Sequence, residues 1–408
     1  MDAWPLRTLS ELCAKITVGH VSAMAGEYLP SGIPFLRSKN IRPGRLDLTD
    51  LAYVGIDFHQ RIRKSQLFAN DIAIVRTGTP GAAALIPDGF GEANCSDIII
   101  ARPTEQVSPR FLCYAINATA GAFVSAHTVG AVQQHFNIGS ARKLQIHTPP
   151  LHEQQAVAEV LGALDDKIAS NERQLITLNE LCSAWHERII NRGYAETSTY
   201  TLAELAKRGF MALGDGYRTK QSEHGEPGLP ILRVADVGHG TITPSFTHYV
   251  SDAYRDAMGP KVSQQGDVIL TTKGTVGRVA LIDSGQPEFV YSPQVCYFRL
   301  AESSPVSPLY MLHWFQGKEF WSQAGGLKGQ TDMADYLSLR DIRALRITVP
   351  SPADLSEFSR VCNPMQEQSE AARRENDTLT ALRDTLLPQL ITGKIRVKDA
   401  ERIVEDAA

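Results

Sequence analysis

The sequence predicts an α+β protein with a pseudo-twofold internal repeat: two similar mixed α/β domains joined by two long antiparallel helices of coiled-coil character. Two observations carry this expectation. First, short strings recur at a nearly constant offset. Ile33-Pro34-Phe35-Leu36-Arg37 returns as Leu229-Pro230-Ile231-Leu232-Arg233, and Asn70-Asp71-Ile72 with Gly78-Thr79-Pro80-Gly81 returns as Gly266-Asp267-Val268 with Gly274-Thr275-Val276-Gly277, all 196 residues on. Leu144 and Pro149 return 201 residues on as Leu345 and Pro350, so the offset drifts little over a whole domain, as a duplication requires. Second, residues 151–192 place Val157, Leu161, Leu164, Ile168, Leu175, Leu178, Cys182, Trp185 and Ile189 at alternating spacings of four and three, with Asn171 in the same register. A seam of that period packs against another helix.

The partner helix is expected near the C-terminus, over residues 353–394, where Phe358, Val361, Met365, Ala372, Leu379, Leu382, Leu386 and Leu390 share a face with Gln368 and Glu375 in register. Pro364 is expected to kink or restart it, while Pro388 and Gly393 mark its end. The chain therefore divides into a first domain (1–150), a central helix (151–192), a second domain (193–352), a C-terminal helix (353–394) and a tail (395–408). A helix of this length runs for about 60 Å at 1.5 Å per residue.

Within the first domain, Ser10 is positioned to cap a short helix beginning at Glu11. Ile33–Arg37 reads as a strand leading into a basic turn through Lys39, Arg42 and Arg45. Asp71–Arg76 and Ala83–Ile86 flank the glycine turn as a hairpin, Ile98-Ile99-Ile100 is a buried strand, and 109–117 is helical. A last strand at 144–146 precedes Pro149-Pro150, which open the long helix.

Composition bounds the chemistry. A chain of 408 residues, 43% hydrophobic and 21% charged, suggests more than one globular domain. It has no apolar run of membrane-spanning length, and its first residues lack the basic and apolar regions of a signal peptide. The six scattered cysteines contain no Cys-x-x-Cys pair and are expected to be reduced and buried, with no metal site, in a cytoplasmic protein. The net charge of −4 is unevenly spread: residues 1–150 carry 14 Lys and Arg against 11 Asp and Glu, whereas 151–192 carry 4 against 7.

No catalytic motif is found. The phosphate loop G-x-x-x-x-G-K-[ST], the dinucleotide fingerprint, the H-E-x-x-H helix, the nucleophile elbow and the Asn- or Asp-Pro-Pro-aromatic tetrapeptide of amino-methyltransferases are all missing. Pro87-Asp88 lacks the Glu-x-Lys that a nuclease would need. The candidate contacts suit DNA instead. Arg37, Ser38, Lys39 and Arg42 form a basic, hydrogen-bonding stretch, and Arg233 stands at the place of Arg37 in the second copy. Arg76, Thr77 and Thr79 flank one glycine turn; Lys273, Thr275 and Arg278 flank the other. Polar loops with Gln133 and Gln134, and with Lys328, Gln330 and Thr331, occupy corresponding places. Lys and Arg hold phosphates, whereas Asn, Gln and Arg read base edges. Each feature also has an ordinary reading: glycine turns are tight hairpins, charges form solvated faces, and Gln is a common loop residue.

The chain resembles the specificity subunit of type I restriction–modification systems along nearly its whole length. The residues that carry the likeness are Pro149-Pro150-Leu151-His152-Glu153-Gln154-Gln155, Ala163-Leu164-Asp165-Asp166-Lys167-Ile168, Gly214-Asp215-Gly216 and the run from Leu382 to Ile395. Where the first helix opens with Pro-Pro-Leu-His-Glu-Gln-Gln, the second has Pro350-Ser351-Pro352-Ala353-Asp354-Leu355. The resemblance implies a non-catalytic adaptor whose two domains are target recognition domains, one per half of a bipartite, gapped double-stranded DNA sequence. It implies two modification (methyltransferase) subunits as partners and a restriction/translocase subunit beside them. It also implies that this chain holds no cofactor, with S-adenosylmethionine, ATP and Mg on the partner subunits. A rod of about 60 Å would limit the half-site separation to about 17 base pairs. The alternative is a helical scaffold whose paired domains bind protein or ligand without DNA.

Overall fold

The computed structural model describes residues 4–24, 26–127, 136–192, 197–243, 245–327 and 336–407. The chain forms two compact units: residues 1–169 with 376–408, and residues 170–375. The division differs from domains separated by independent spacers, because each unit includes part of both long helices.

In the first unit, Asp71–Arg76 and Ala83–Ile86 form the expected hairpin, with Ala73 opposite Ala84. It belongs to a four-stranded antiparallel sheet ordered Ala83–Leu85, Ile72–Val75, Ile98–Pro103, Cys13–Val18. The second unit repeats that order with Val279–Leu281, Val268–Thr271, Val295–Leu300 and Met211–Asp215. A second sheet in each unit contains one parallel pair, Ile33–Leu36 with Ala93–Cys95 and Gly228–Leu232 with Val290–Tyr291. The repeat in sequence is therefore a repeat in topology.

The recurring Asp has a structural cause. Asp71 is fully buried and accepts two hydrogen bonds from Arg102, Nε at 2.7 Å and Nη2 at 2.8 Å. Asp267 is held likewise by Arg299, with two contacts of 2.7 Å, and accepts the Tyr291 hydroxyl at 2.6 Å. Each carboxylate also closes its own turn, accepting the Phe68 amide at 2.9 Å or the Gln264 amide at 3.0 Å. The residue before it turns with positive φ, 68° at Asn70 and 85° at Gly266, which favours Asn and Gly there.

The central helix spans Leu151–Arg192, the bounds expected. Its first half buries Val157, Leu161 and Leu164 in the first unit's core with Leu386 and Leu390, and Leu379 and Leu382 pack on that cluster. Ile168 is half-buried and its carbonyl accepts from Asn376 at 3.5 Å, while Asp165 pairs with Arg383 at 2.9 Å, so the segments run antiparallel. Gly162, the one glycine of this helix, lies beneath Arg110: a Cβ there would sit 2.4 Å from the guanidinium carbon. Arg110 donates to the Gly162 carbonyl at 3.2 Å and to Asp166 at 2.9 Å.

In the second unit the other helix halves pair by the same rule. The polar registers Asn171 and Glu375 meet at 2.7 Å, Cys182 Sγ lies 3.7 Å from Met365 Sδ, and Arg192 reaches Glu357 at 3.4 Å. Leu178 is buried, Leu175 is half-buried, and Trp185 packs on the core that contains Cys182, Ile189, Phe358 and Cys362.

Four sequence expectations change. The C-terminal long helix runs unbroken over Pro352–Thr392, through Pro364 and Pro388. Pro364 lies on the exposed face, and the opposite face, with Phe358, Val361, Cys362 and Met365 packed in the second unit's core, offsets its lost hydrogen bond. Residues 395–408 are not a simple tail: Val397–Ala407 is a helix whose Ala400 is buried in the first unit's core, and Arg396 lies 5.6 Å from the centre of the Trp4 ring. The first short helix is Leu9–Leu12 with Thr8, not Ser10, at its N-cap, where the Glu11 carboxylate accepts the Thr8 amide at 2.7 Å. Thr201 and Glu204 repeat this bond in the second unit and add its reciprocal, the Glu204 amide donating to the Thr201 hydroxyl at 3.1 Å. The helix at Pro109 extends to His127, because Ala120 and Val124 continue its buried face. All six cysteines are unpaired and buried, as expected.

Two stability tests follow from this packing. Asp267→Ala leaves Arg299 without its buried counter-charge and should destabilise the protein by about 3–5 kcal/mol in denaturant unfolding, against at most about 1 kcal/mol for Asp47→Ala at the surface. His186 is buried against Tyr310 and Phe358, and burial, reinforced by His313, pulls its pKa from 6.5 down to about 3. Its neutral form is the folded one, so its contribution is complete above pH 6.5 and is lost as pH falls toward 3. Melting temperatures of His186→Phe should fall less over that window than those of the wild type.

Candidate nucleic-acid interface

The basic stretch of the first unit is built on a tight 3-10 turn at Ser38–Asn40. Buried Asn40 holds it, accepting the Arg37 amide at 2.9 Å and donating to the carbonyls of Asp47 at 2.8 Å and Asp50 at 3.2 Å. Arg37 donates to the Asp50 carbonyl at 2.6 Å, and both Arg37 and Lys39 pair with the Asp50 carboxylate. Arg42 pairs with Asp47 at 3.3 Å, whose carboxyl is held below the usual range by the Thr49 hydroxyl and amide and, secondarily, by Arg42. The turn presents cations, each of which already has an acidic neighbour. Ser38 is half-buried beside them.

The equivalent turn of the second unit replaces Asn40 by Asp236, which accepts the Arg233 amide at 2.8 Å and the Ser245 amide and hydroxyl at 3.1 and 2.8 Å. The Arg233 side chain is exposed and makes no hydrogen bond or ion pair among the described residues. Arg278 reaches back to this turn, donating to the carbonyls of Val234 at 3.4 Å and Val237 at 3.1 Å. The fold thus joins the glycine turn to the Arg233 turn and spends the Arg278 guanidinium in doing so.

The glycine turns divide in role. Gly81 and Gly277 have φ of 92° and 95°, and a Cβ there would meet Ala120 at 2.7 Å and the Trp321 ring at 2.2 Å. These second glycines let the turn pack against a helix. The first glycines, Gly78 and Gly274, face open space and leave Thr79, Lys273 and Thr275 exposed, with Thr77 half-buried. Arg76 is mostly buried and pairs with Asp97. The candidates Gln133, Gln134, Lys328, Gln330 and Thr331 lie outside the described residues.

A cleft of about 390 Å³ opens in the second unit beside Lys273, between Asp215, Arg218, Gln294 and Tyr336. Of these, Lys273 stands out in the sequence beside its glycine turn and Asp215 within Gly214-Asp215-Gly216. Arg218, Gln294 and Tyr336 come from three separate segments and carry no local sign in the sequence. Among the described residues no three His, Cys, Asp or Glu side chains are grouped to hold a metal, and no helix is long and apolar enough to cross a membrane.

Stability separates the two basic residues of this turn. Arg278→Ala removes donors to two carbonyls and should cost about 1–3 kcal/mol in denaturant unfolding, whereas Lys273→Ala should stay within about 0.5 kcal/mol of the wild type.

Comparison with known proteins adds the following. Residues 1–180 match the family model described as the type I restriction modification DNA specificity domain. The chain is 19% identical to the type I restriction enzyme MjaVIII specificity subunit of Methanocaldococcus jannaschii, over 98% of this chain and 94% of that protein. It is 22% identical to the EcoKI specificity subunit of Escherichia coli, over 97% of this chain and 85% of that protein. Among solved structures, the S subunit of a type I restriction–modification system from M. genitalium aligns with a TM-score of 0.56 at 16% identity, covering 95% of this chain and 96% of that one. The resemblance read from the sequence is borne out: the chain is similar to type I specificity subunits over nearly its whole length, and it shares the fold of the M. genitalium S subunit.

Proposed function

We propose that this chain is the specificity subunit of a type I restriction–modification complex, a non-catalytic adaptor that reads a bipartite, asymmetric, gapped sequence in double-stranded DNA. Each unit takes one half-site. The observation that carries this reading is the duplication itself: one topology occurs twice, with different side chains at matching positions. Arg37 and Lys39 on Asp50 in one unit stand against an open Arg233 in the other. Two recognition surfaces of one build and unlike chemistry suit a target of two unlike halves.

The two long helices, shared between the units, would set the gap and dock two modification subunits, with a restriction/translocase subunit joining the complex. S-adenosylmethionine, ATP and Mg belong to those partners. The complex acts in the cytoplasm. Phosphates are held by Lys and Arg of the exposed turns, and base edges by the polar side chains between them.

The test is co-expression with the neighbouring genes, followed by selection of random duplexes at about 150 mM salt. Recovery of a methyltransferase partner with one gapped, asymmetric motif supports the proposal. A chain that enriches no motif with any partner refutes it and leaves the scaffold alternative.

Salt dependence resolves the cations. Lys273→Ala should reduce the slope of log affinity against log salt by about 0.9, the loss of one phosphate contact. Asp50→Asn releases Arg37 and Lys39 from their acidic neighbour, so it should raise affinity and steepen the slope. Titrations at several salt concentrations measure both.

A further inference from the structure

The cleft of the second unit lies where one end of its four-stranded sheet meets the segment before the helix Leu339–Ala344. Strand pairing brings its walls together: Asp215 is opposite Cys296, Thr271 is opposite Val295, and Lys273 bridges Tyr336. Thr272 binds the Gln294 carbonyl through its amide at 2.8 Å and its hydroxyl at 3.1 Å, which fixes the backbone of Gln294 and leaves its side chain to the cleft. Arg218, Lys273 and Gln294 are exposed and make no side-chain hydrogen bond or ion pair among the described residues. Tyr336 is 46% exposed on the same rim. Asp215 is only loosely balanced, with Lys261 at 3.8 Å.

The first unit closes the same place. Leu337 donates its amide to the Thr272 carbonyl at 3.0 Å, as Phe136 does to the Arg76 carbonyl at 2.9 Å, so Thr272 corresponds to Arg76. Val295 pairs with Thr271 as Ile98 pairs with Val75, so Gln294 corresponds to Asp97. Arg76 and Asp97 form an ion pair, so the two side chains that stand at this place engage each other. The second unit has Thr272 and Gln294 there, and the Gln294 side-chain amide, the two cations and the aromatic ring have no internal partners among the described residues.

We propose that this cleft is the base-reading site of the second unit, with Gln294 as its specificity-determining residue. The inference rests on the DNA-reading function proposed above. Gln294 presents a donor and an acceptor to the edge of one base, the pattern that matches adenine N7 and N6 in the major groove. Arg218 and Lys273 hold flanking phosphates, and Tyr336 packs against the backbone sugar. The first unit, with Arg76 and Asp97 bound to each other, reads its half-site with other groups.

The experiment compares the wild-type chain with Gln294→Ala and Arg218→Ala, each co-purified with its modification partners and each selecting from one random-duplex library. Gln294 is exposed, and the replacement keeps the carbonyl that Thr272 binds. The expected result is a wild-type bipartite motif in which Gln294→Ala lowers the preference at a single A·T position by about 5- to 100-fold. The other half and the gap stay unchanged. Arg218→Ala should weaken all sequences alike and reduce the salt slope by about 0.9. An unaltered motif with Gln294→Ala, or a change in both halves, overturns the cleft assignment while the specificity function stands. A wild-type complex that enriches no motif overturns the specificity function and the cleft assignment with it.

Discussion

The apolar seam of the two long helices governs this structure, because each unit draws on half of it to complete a core. Val157, Leu161 and Leu164 are buried with Leu386 and Leu390 in the first unit, and Ile189 with Phe358 and Cys362 in the second. Each fully buried side chain of this kind contributes about 1.5–3 kcal/mol, so several together are comparable with the net stability of a domain. The helices are therefore structural members of both units and not tethers between finished ones. Even the C-terminal residues serve this end, since Val397–Ala407 buries Ala400 on the first core.

A second constraint shapes the surfaces. The buried Asp71–Arg102 and Asp267–Arg299 pairs lock the turn before the central hairpin in each unit. A buried carboxylate tolerates little rearrangement, because an unpaired charge in the interior costs several kcal/mol. The hairpin that follows thus begins from the same geometry twice, and the variation falls on its rim. There the basic residues separate by use. Arg278 and Arg76 are engaged within the fold, Arg37, Lys39 and Arg42 have acidic neighbours, and Arg218, Arg233 and Lys273 are open among the described residues. Only the open group confronts a polyanion without first giving up an internal contact.

Much of this is legible in the amino-acid order. The repeat, the hairpin about each glycine turn and the central helix depend on local pattern, which side-chain periodicity reports directly. Register pairs such as Asn171 with Glu375 are also readable, because a heptad seam places its polar members at predictable heights. The likeness to the specificity subunits comes from contiguous motifs, and Gln154 explains one of them: it is buried, accepting the Ser108 amide at 2.9 Å and donating to the Pro149 carbonyl at 2.8 Å.

The sequence alone determined the duplicated α+β plan, the two long helices with their seam and the likeness to the specificity subunits, because each depends on residues near one another or at a fixed period. Tertiary structure decided that Pro364 stays inside a helix, that Thr8 caps where Ser10 was expected, and that the last residues join a core. It also decided which cations are engaged and that Arg218, Gln294 and Tyr336 share one cleft. Those outcomes depend on strands and turns meeting from distant parts of the chain, where packing outweighs local propensity and no spacing in the sequence records the encounter.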